Sequence, residues 1–215
     1  YGELPTPTRT GYTFKGWFTA TSGGTQIKPG TKVTITAAQA LYAQWNPITY
    51  TVRFHKNDGT STTADQTHTY DKEQNLRWKD SDLGWIYTGY NFQGWARTSN
   101  GEVVYVNGEK VKNLTSTQGY VVKLYAVWTA KACTVTFNAN GGTVSPTSKS
   151  VTYNSTYGDL PTPTRKGYTF KGWFTAASGG AHVTANTTVI VFDKQTLYAQ
   201  WAANKYTVTF NANGD

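Results

Sequence analysis

The sequence predicts a mainly β protein, α+β at most, built from small repeated domains. Three observations support this fold class: aromatic residues make up 15% of the chain and threonine is abundant, short segments alternate between apolar and polar residues, and no stretch shows a helical period. Hydrophobic residues make up 38% of the 215 residues. Together with the glycines they are enough for a core, which excludes a wholly disordered chain.

Two sets of short segments are predicted strands because their apolar residues recur at every second position. The first set is YTVRF at 50–54, CTVTF at 133–137 and YTVTF at 206–210. The second set is LYAQW at 41–45, LYAVW at 124–128 and LYAQW at 197–201. Each alternation indicates a strand with one buried and one exposed face.

The segments between these strands carry turn and bulge signals. Asn140 and Gly141 tolerate a positive φ, so a tight hairpin turn is predicted there, with 133–139 pairing with a strand at about 147–153. The prolines of LPTPT at 160–164 exclude the interior of a sheet and predict an extended crossing segment. Gly172 interrupts the alternation of GYTFKGWF, which indicates a bulge or a close backbone contact.

The chain contains an internal repeat. Residues 1–24 recur at 157–180 with only three changes, and a divergent copy shows GYNFQGW at 89–95. Successive first strands begin at Tyr50, Cys133 and Tyr206, a spacing too long for one turn of a solenoid and suited to small domains in series.

The phase of the repeat predicts the domain boundaries. Residues 1–46 are a partial repeat that lacks its first strands, 47–129 a complete divergent repeat, 130–202 a complete consensus repeat, and 203–215 the first strand of a further repeat. The linkers between them are only a few residues long, which favours a stiff, elongated array over domains on flexible tethers.

The recurring aromatic residues are predicted to form the cores. Small domains bury a limited fraction of their surface and need large side chains to do so. The positions concerned are Phe14, Phe92, Phe170, Trp45, Trp128 and Trp201, followed by Trp17, Trp95 and Trp173 after the glycine.

A TVTFNANGG strand and turn, then GYTFKGW, then a closing LYAQW resemble the Listeria-Bacteroides repeat of internalin-type surface proteins. The resemblance implies compact ubiquitin-like β-grasp modules strung in tandem on secreted or wall-attached bacterial proteins, often near adhesive domains. It therefore implies an extracellular location, at the bacterial cell surface or secreted. The middle repeat departs from the pattern, since it lacks LPTPT and carries RWKDSDLGWIYT at 77–88.

Several functional classes are disfavoured. No catalytic motif is present, so no catalytic residue is predicted, and Cys133 at a strand start is expected to be a small buried hydrophobe. No cofactor or metal is expected, because the single cysteine and three scattered histidines form no ligand pattern. No apolar run is long enough for a membrane span, and the basic residues follow no nucleic-acid-binding motif. The net charge of +8 favours weak binding of anionic wall polymers.

The insertion of the middle repeat holds the candidate ligand-binding residues. No other repeat requires them, so a loop presenting aromatic faces and charges to a host or cell-surface glycan or protein is one interpretation. The alternative is that the insertion folds over its own domain and buries them. The residues are Arg77, Trp78, Lys79, Trp85 and Tyr87.

The terminal strand segment is a second candidate interaction site. Its apolar face, Tyr206, Val208 and Phe210, has no repeat of its own to cover, while residues 1–46 lack the matching strand. Unpaired strands with apolar faces are templates for strand addition from another chain. We therefore expect head-to-tail self-association.

These observations favour a non-catalytic extracellular region that acts as a stalk or spacer and interaction module of an adhesin-like surface protein. The competing hypothesis is a glycan- or anionic-polymer-binding module that uses the divergent middle repeat.

Overall fold

The computed structural model describes residues 1–214, and every regular element in that range is a β-strand. The strands are β1 (Tyr12–Phe18), β2 (Gln26–Ile27), β3 (Tyr42–Pro47), β4 (Thr49–His55), β5 (Thr63–Thr69), β6 (Gln74–Asn75), β7 (Tyr90–Ala96), β8 (Lys110–Val111), β9 (Val121–Ala130), β10 (Ala132–Asn138), β11 (Ser148–Thr152), β12 (Tyr168–Phe174), β13 (His182–Val183) and β14 (Gln195–Ala203). The mainly β prediction is confirmed. The described residues contain no helix that could cross a membrane.

The chain divides into two compact units. The first comprises Tyr1–Ile86 with Phe92–Trp128, and the second comprises Tyr87–Asn91 with Thr129–Asp215.

The sheet of the second unit has five strands in the order β11-β10-β14-β12-β13. The first strand of the repeat, β10, pairs in parallel with the last, β14, with Phe137 opposite Leu197. It also pairs antiparallel with β11, with Cys133 opposite Val151. The predicted pairing of 133–139 is therefore confirmed. The predicted tight turn also forms: Asn140 and Gly141 have φ of 49° and 90°, and the N–H of Gly142 donates to the carbonyl of Ala139 at 3.1 Å. Residues 142–147 then separate this turn from β11, so the turn does not join the two strands directly.

The core of this unit centres on Trp173, which is only 2% exposed. The inward faces of β10 and β14 surround it, and its indole N–H donates to the carbonyl of Pro161 at 2.8 Å. That hydrogen bond accounts for the position of the LPTPT segment across the core, because a buried indole N–H needs an acceptor. Phe170 and Trp201 pack against this core but stay partly exposed, so the tryptophan that follows the glycine is the more deeply buried one.

Gly172 forms the predicted bulge. The pairing of β12 with β14 shifts register between Phe170 and Gly172, and Gly172 has a φ of 136°. A Cβ atom there would lie 2.3 Å from the ring of His182. Glycine is required at this position for both reasons.

The complete repeat of the first unit has the same plan. Its four-stranded sheet has the order β5-β4-β9-β7, and a separate pair joins β6 to β8. Strand β4 again pairs in parallel with the last strand, with Phe54 opposite Leu124. The core includes fully buried Phe54, Leu76 and Trp95.

Parallel pairing of the first and last strands holds in both complete repeats. Residues 1–214 contain no helix against these sheets. The β-grasp part of the prediction, which calls for such a helix, is not confirmed.

Residues 1–46 form only the three-stranded sheet β2-β1-β3. The bulge is reproduced between Phe14 and Gly16. Trp17 is half-buried, in contrast to Trp173 at the equivalent position.

Candidate functional site

The insertion at 77–88 is a compact turn held together by its own backbone. The N–H groups of Asp82 and Leu83 both donate to the carbonyl of Trp78, and the N–H of Trp85 donates to that of Lys79. The carboxylate of Asp82 in turn accepts the N–H of Trp78 at 2.9 Å. The turn therefore has a defined conformation rather than that of a flexible loop.

The two tryptophans of the insertion have different environments. Trp85 is only 8% exposed and packs edge-to-face on Trp95, with the ring centroids 6.1 Å apart. It therefore belongs to the core, which agrees for this residue with the alternative that the insertion folds over its own domain. Trp78 is 46% exposed and lies against Gly108, where an added Cβ would come within 2.2 Å of the indole.

Arg77 and Lys79, the charged residues among the candidate ligand-binding residues, flank Trp78 in the sequence. The N–H of Lys79 donates to Asn107 at 2.8 Å, and its ammonium pairs with Asp80. Arg77 is half-buried and lies close enough to Asp65 for its charge to affect the pKa of that carboxyl group. Hydrogen bonding from Arg53 lowers the pKa of Asp65 against the effect of burial, and the charge of Arg77 adds to the lowering.

Tyr87 belongs to the second unit. Its ring stacks on that of Tyr90 at a centroid distance of 4.0 Å. In the first unit, then, the structure brings Arg77, Trp78 and Lys79 together on one turn and places Trp85 in the core. Ligand binding by these residues stays a prediction.

The strand-exchange residues are among the most exposed aromatic and aliphatic groups of the second unit. Tyr206, Val208 and Phe210 are 75%, 72% and 92% exposed. Residues 204–214 form no strand. Their self-association stays a prediction.

A junction that sequence reasoning missed lies between residues 1–46 and the following repeat, within the first unit. Ile48 donates its N–H to the carbonyl of Gly11 at 3.0 Å and accepts the N–H of Tyr70 at 2.9 Å. The Tyr70 ring lies over Gly11, where a Cβ would come within 2.2 Å of it. The hydroxyl of Tyr12 then donates to Asp71 at 2.7 Å.

The same junction recurs within the second unit. Lys131 donates to the carbonyl of Gly89 at 2.8 Å and accepts the N–H of Tyr153 at 2.9 Å. The Tyr153 ring covers Gly89 at 2.4 Å from an ideal Cβ, and Asn154 donates to the hydroxyl of Tyr90 at 3.4 Å. We call this arrangement the Gly–Tyr junction.

A sequence signal for the Gly–Tyr junction does exist. Gly-Tyr recurs at 11–12, 89–90 and 167–168, and Tyr70-Asp71 matches Tyr153-Asn154 at the equivalent strand end. The partners are too far apart in the chain for a local pattern to connect them.

Few titratable groups are buried in residues 1–214. Burial raises the pKa of the Cys133 thiol, and Asp193 adds to it. Cys133 is 3% exposed, which confirms its expected role as a small buried hydrophobe. Among the described residues no group of His, Cys, Asp and Glu is placed to hold a metal ion.

The sheets and the Gly–Tyr junction, which recurs once within each unit, together define a tandem β-repeat protein. The chain belongs to the Listeria-Bacteroides repeat domain family, whose profile matches residues 1–44, 50–127 and 134–200. The resemblance inferred from TVTFNANGG, GYTFKGW and LYAQW is thereby confirmed.

Three similar proteins come from two bacteria. Over 214 residues, 95% of this chain, it is 30% identical to a protein of Evansella cellulosilytica described as a Gly-rich membrane protein, of which it covers 22%. A second Evansella membrane protein is 29% identical over 98% of the chain and 30% of that protein. Internalin H of Listeria monocytogenes is 34% identical over 54% of the chain and 20% of its own length.

The chain thus spans about a fifth to a third of the length of these relatives. It is a repeat region of the kind found in surface-type proteins, internalin-like and membrane-associated.

Proposed function

We propose that this chain is a non-catalytic extracellular spacer of an adhesin-like bacterial surface protein. A spacer needs consecutive domains to keep a fixed relation, and the Gly–Tyr junction is the observation that carries the proposal. Membership of the repeat family and similarity to an internalin and to membrane proteins support a location at the cell surface.

Each junction combines backbone and side-chain contacts, and this combination resists bending. Two backbone hydrogen bonds fix the linker residue, Ile48 or Lys131, between two strands. An aromatic ring over a glycine then excludes any larger residue. A flexible tether would have neither feature.

The test uses a matched pair of glycines in the first unit. Gly11 and Gly30 have nearly the same φ, 76° and 80°, but an added Cβ meets the Tyr70 ring at Gly11 and nothing within 4 Å at Gly30. Both Gly11→Ala and Gly30→Ala incur the strain of a positive φ. Only Gly11→Ala disturbs a junction.

The measurement is the distribution of distances between spin labels at exposed Ser22 and Ser99, which both lie in the first unit. We expect a narrow distribution in the unsubstituted chain and in Gly30→Ala, and a broad one in Gly11→Ala. A broad distribution in the unsubstituted chain, or no difference between the two variants, would contradict the spacer proposal.

A second candidate function is binding of glycans or anionic polymers by the middle repeat. The observation in its favour is the half-exposed Trp78 between Arg77 and Lys79 on an ordered turn. An aromatic face beside cationic groups can stack on a sugar ring while the charges attract phosphate or carboxylate groups.

We expect a glycan array and a tryptophan-fluorescence titration with a polyglycerol phosphate to show binding that weakens with salt and is lost in Trp78→Ala. Ile86→Ala is the matched control, since Ile86 is an exposed apolar residue of the same insertion. Binding that is absent at millimolar ligand, or equal in both variants, would rule out this site.

A further inference from the structure

The outer face of the third repeat, residues 130–202, carries an open groove. The groove lies within the second unit and is bordered by β10, by β14 and by the segment 142–147. Its volume is about 590 Å³, and binding sites for small molecules commonly measure about 300–1,000 Å³. The groove is therefore large enough for a ligand of the size of one or two sugar rings.

The lining of this groove is polar but uncharged. Among the described residues that line it, none carries a charge. Thr136 lies opposite Thr196 in the parallel pair of β10 and β14, and Asn138 lies opposite Tyr198. The hydroxyls of Thr136, Thr196 and Tyr198 make no hydrogen bond to any other side chain or backbone group of residues 1–214, and neither does that of Thr147. Hydroxyls can both donate and accept, so they suit an uncharged ligand that carries hydroxyl groups itself.

The middle repeat shows what the face of this tyrosine can hold. There His55 lies opposite Tyr125, at the register position where the third repeat has Asn138 opposite Tyr198. The His55 ring stacks on Tyr125 with the ring centroids 4.4 Å apart and the planes inclined by 15°. Within residues 1–214 no aromatic ring packs on Tyr198, which instead lines the groove. A flat ring thus covers the tyrosine in one repeat and not in the other.

The charges of the two outer faces also differ. Arg53 lies opposite Lys123 in the middle repeat, at the register position where the third repeat has Thr136 opposite Thr196. Cationic groups attract anionic ligands, and the groove of the third repeat offers none. Its ligand is therefore expected to be neutral.

We infer that this groove binds a neutral sugar, with one face of a pyranose ring stacked on Tyr198. A pyranose has a face of C–H groups, which packs on an aromatic ring, and a rim of hydroxyls, which can bond to the threonines beside it. The inference is independent of the spacer proposal and of the candidate site at Trp78. No residue of the Gly–Tyr junction or of the insertion 77–88 lines the groove.

The test is saturation-transfer difference NMR on the full chain with four neutral probes. The probes are methyl glucoside, methyl galactoside, methyl mannoside and N-acetylglucosamine. We expect transfer to the ring C–H protons of at least one probe at millimolar concentration. The signal should be the same at low salt and at about 0.5 M NaCl, because no charged group takes part in the binding.

Two substitutions of Asn138 separate stacking from folding. Asn138→His places an imidazole opposite Tyr198, as His55 lies opposite Tyr125, and should abolish the transfer. Asn138→Ala is the matched control, because it also loses the hydrogen bond from the N–H of Asn140 to the Asn138 side chain but adds no ring. It should keep the transfer. Tyr198→Ala should lose it, whereas Tyr125→Ala should not.

Any of four results would overturn the inference. The first is no transfer to any of the four probes, and the second is equal transfer in Asn138→His and in the unsubstituted chain. The third is an equal loss in Tyr125→Ala and Tyr198→Ala. The fourth is a signal that is lost at high salt or in Trp78→Ala, since binding would then depend on charge or on the insertion.

Discussion

His68 shows how one residue can give a single repeat its own pH dependence. It lies opposite Tyr50 in the sheet and is fully buried, and neither ring nitrogen has a hydrogen-bond partner. Burial therefore lowers the pKa of His68 below its usual value. In the third repeat the equivalent position holds Val151, opposite Cys133, so this sheet position does not require an imidazole.

The sign of the effect follows from proton binding. The folded state keeps His68 neutral, while the unfolded chain takes up a proton below a pH of about 6.5. The stability that depends on the neutral ring is therefore complete above that pH and is lost as the pH falls below it. The linkage slope for one proton is at most about 1.4 kcal/mol per pH unit.

We expect His68→Val to reduce the acid sensitivity of the repeat, measured as the difference in urea-unfolding free energy between pH 7.5 and pH 5.5. His55 contributes in the same direction, since burial lowers its pKa and the charges of Lys123 and Arg53 add to the effect. His55→Val is therefore the companion variant. An unchanged pH dependence in the doubly substituted chain would contradict this assignment.

At the scale of an element, the bulge in β12 is a feature that is sensitive to substitution. Gly172→Ala should lower the unfolding free energy of the second unit by more than about 1 kcal/mol, because φ is positive and the new Cβ meets the His182 ring. Adding His182→Ala removes the clash but keeps the φ strain. Denaturant melts of the two single variants and the double variant separate these costs. A Gly172→Ala chain as stable as the original would mean that the bulge needs no glycine.

The strands themselves were predictable because their signal is local. Alternation over five residues specifies a strand such as 133–137 and its inward face, and the positions of Gly172 and Cys133 followed from the same pattern. The turn at Asn140-Gly141 was predictable from its residues, but the segment 142–147 that follows it was not, because a turn signal does not specify where the next strand begins. Nor was the greater burial of Trp95 and Trp173, which depends on strands far away in the sequence.

The candidate sites show the same limit. Trp85 and Trp78 look alike in the sequence, yet the first completes the core with Trp95 while the second lies over Gly108. The Gly–Tyr junction joins Gly11 to Tyr70 and Gly89 to Tyr153, pairs whose separation no local pattern reveals. Recurrence of the two dipeptides was visible, but only the structure shows that they meet.

At the scale of the molecule, the parallel pairing of first and last strands affects how the chain must fold. Phe137 cannot pair with Leu197 until nearly the whole repeat has been synthesised, and contacts so distant in the sequence slow folding. Before β14 is available, β10 can pair with the last strand of any similar repeat nearby. Such exchange between like domains is a common folding error of repeat proteins. The near-identical segments 1–24 and 157–180 are separated by the divergent repeat at 47–129. These two copies are therefore not neighbours in the chain, and the separation lowers the chance that strands are exchanged between them.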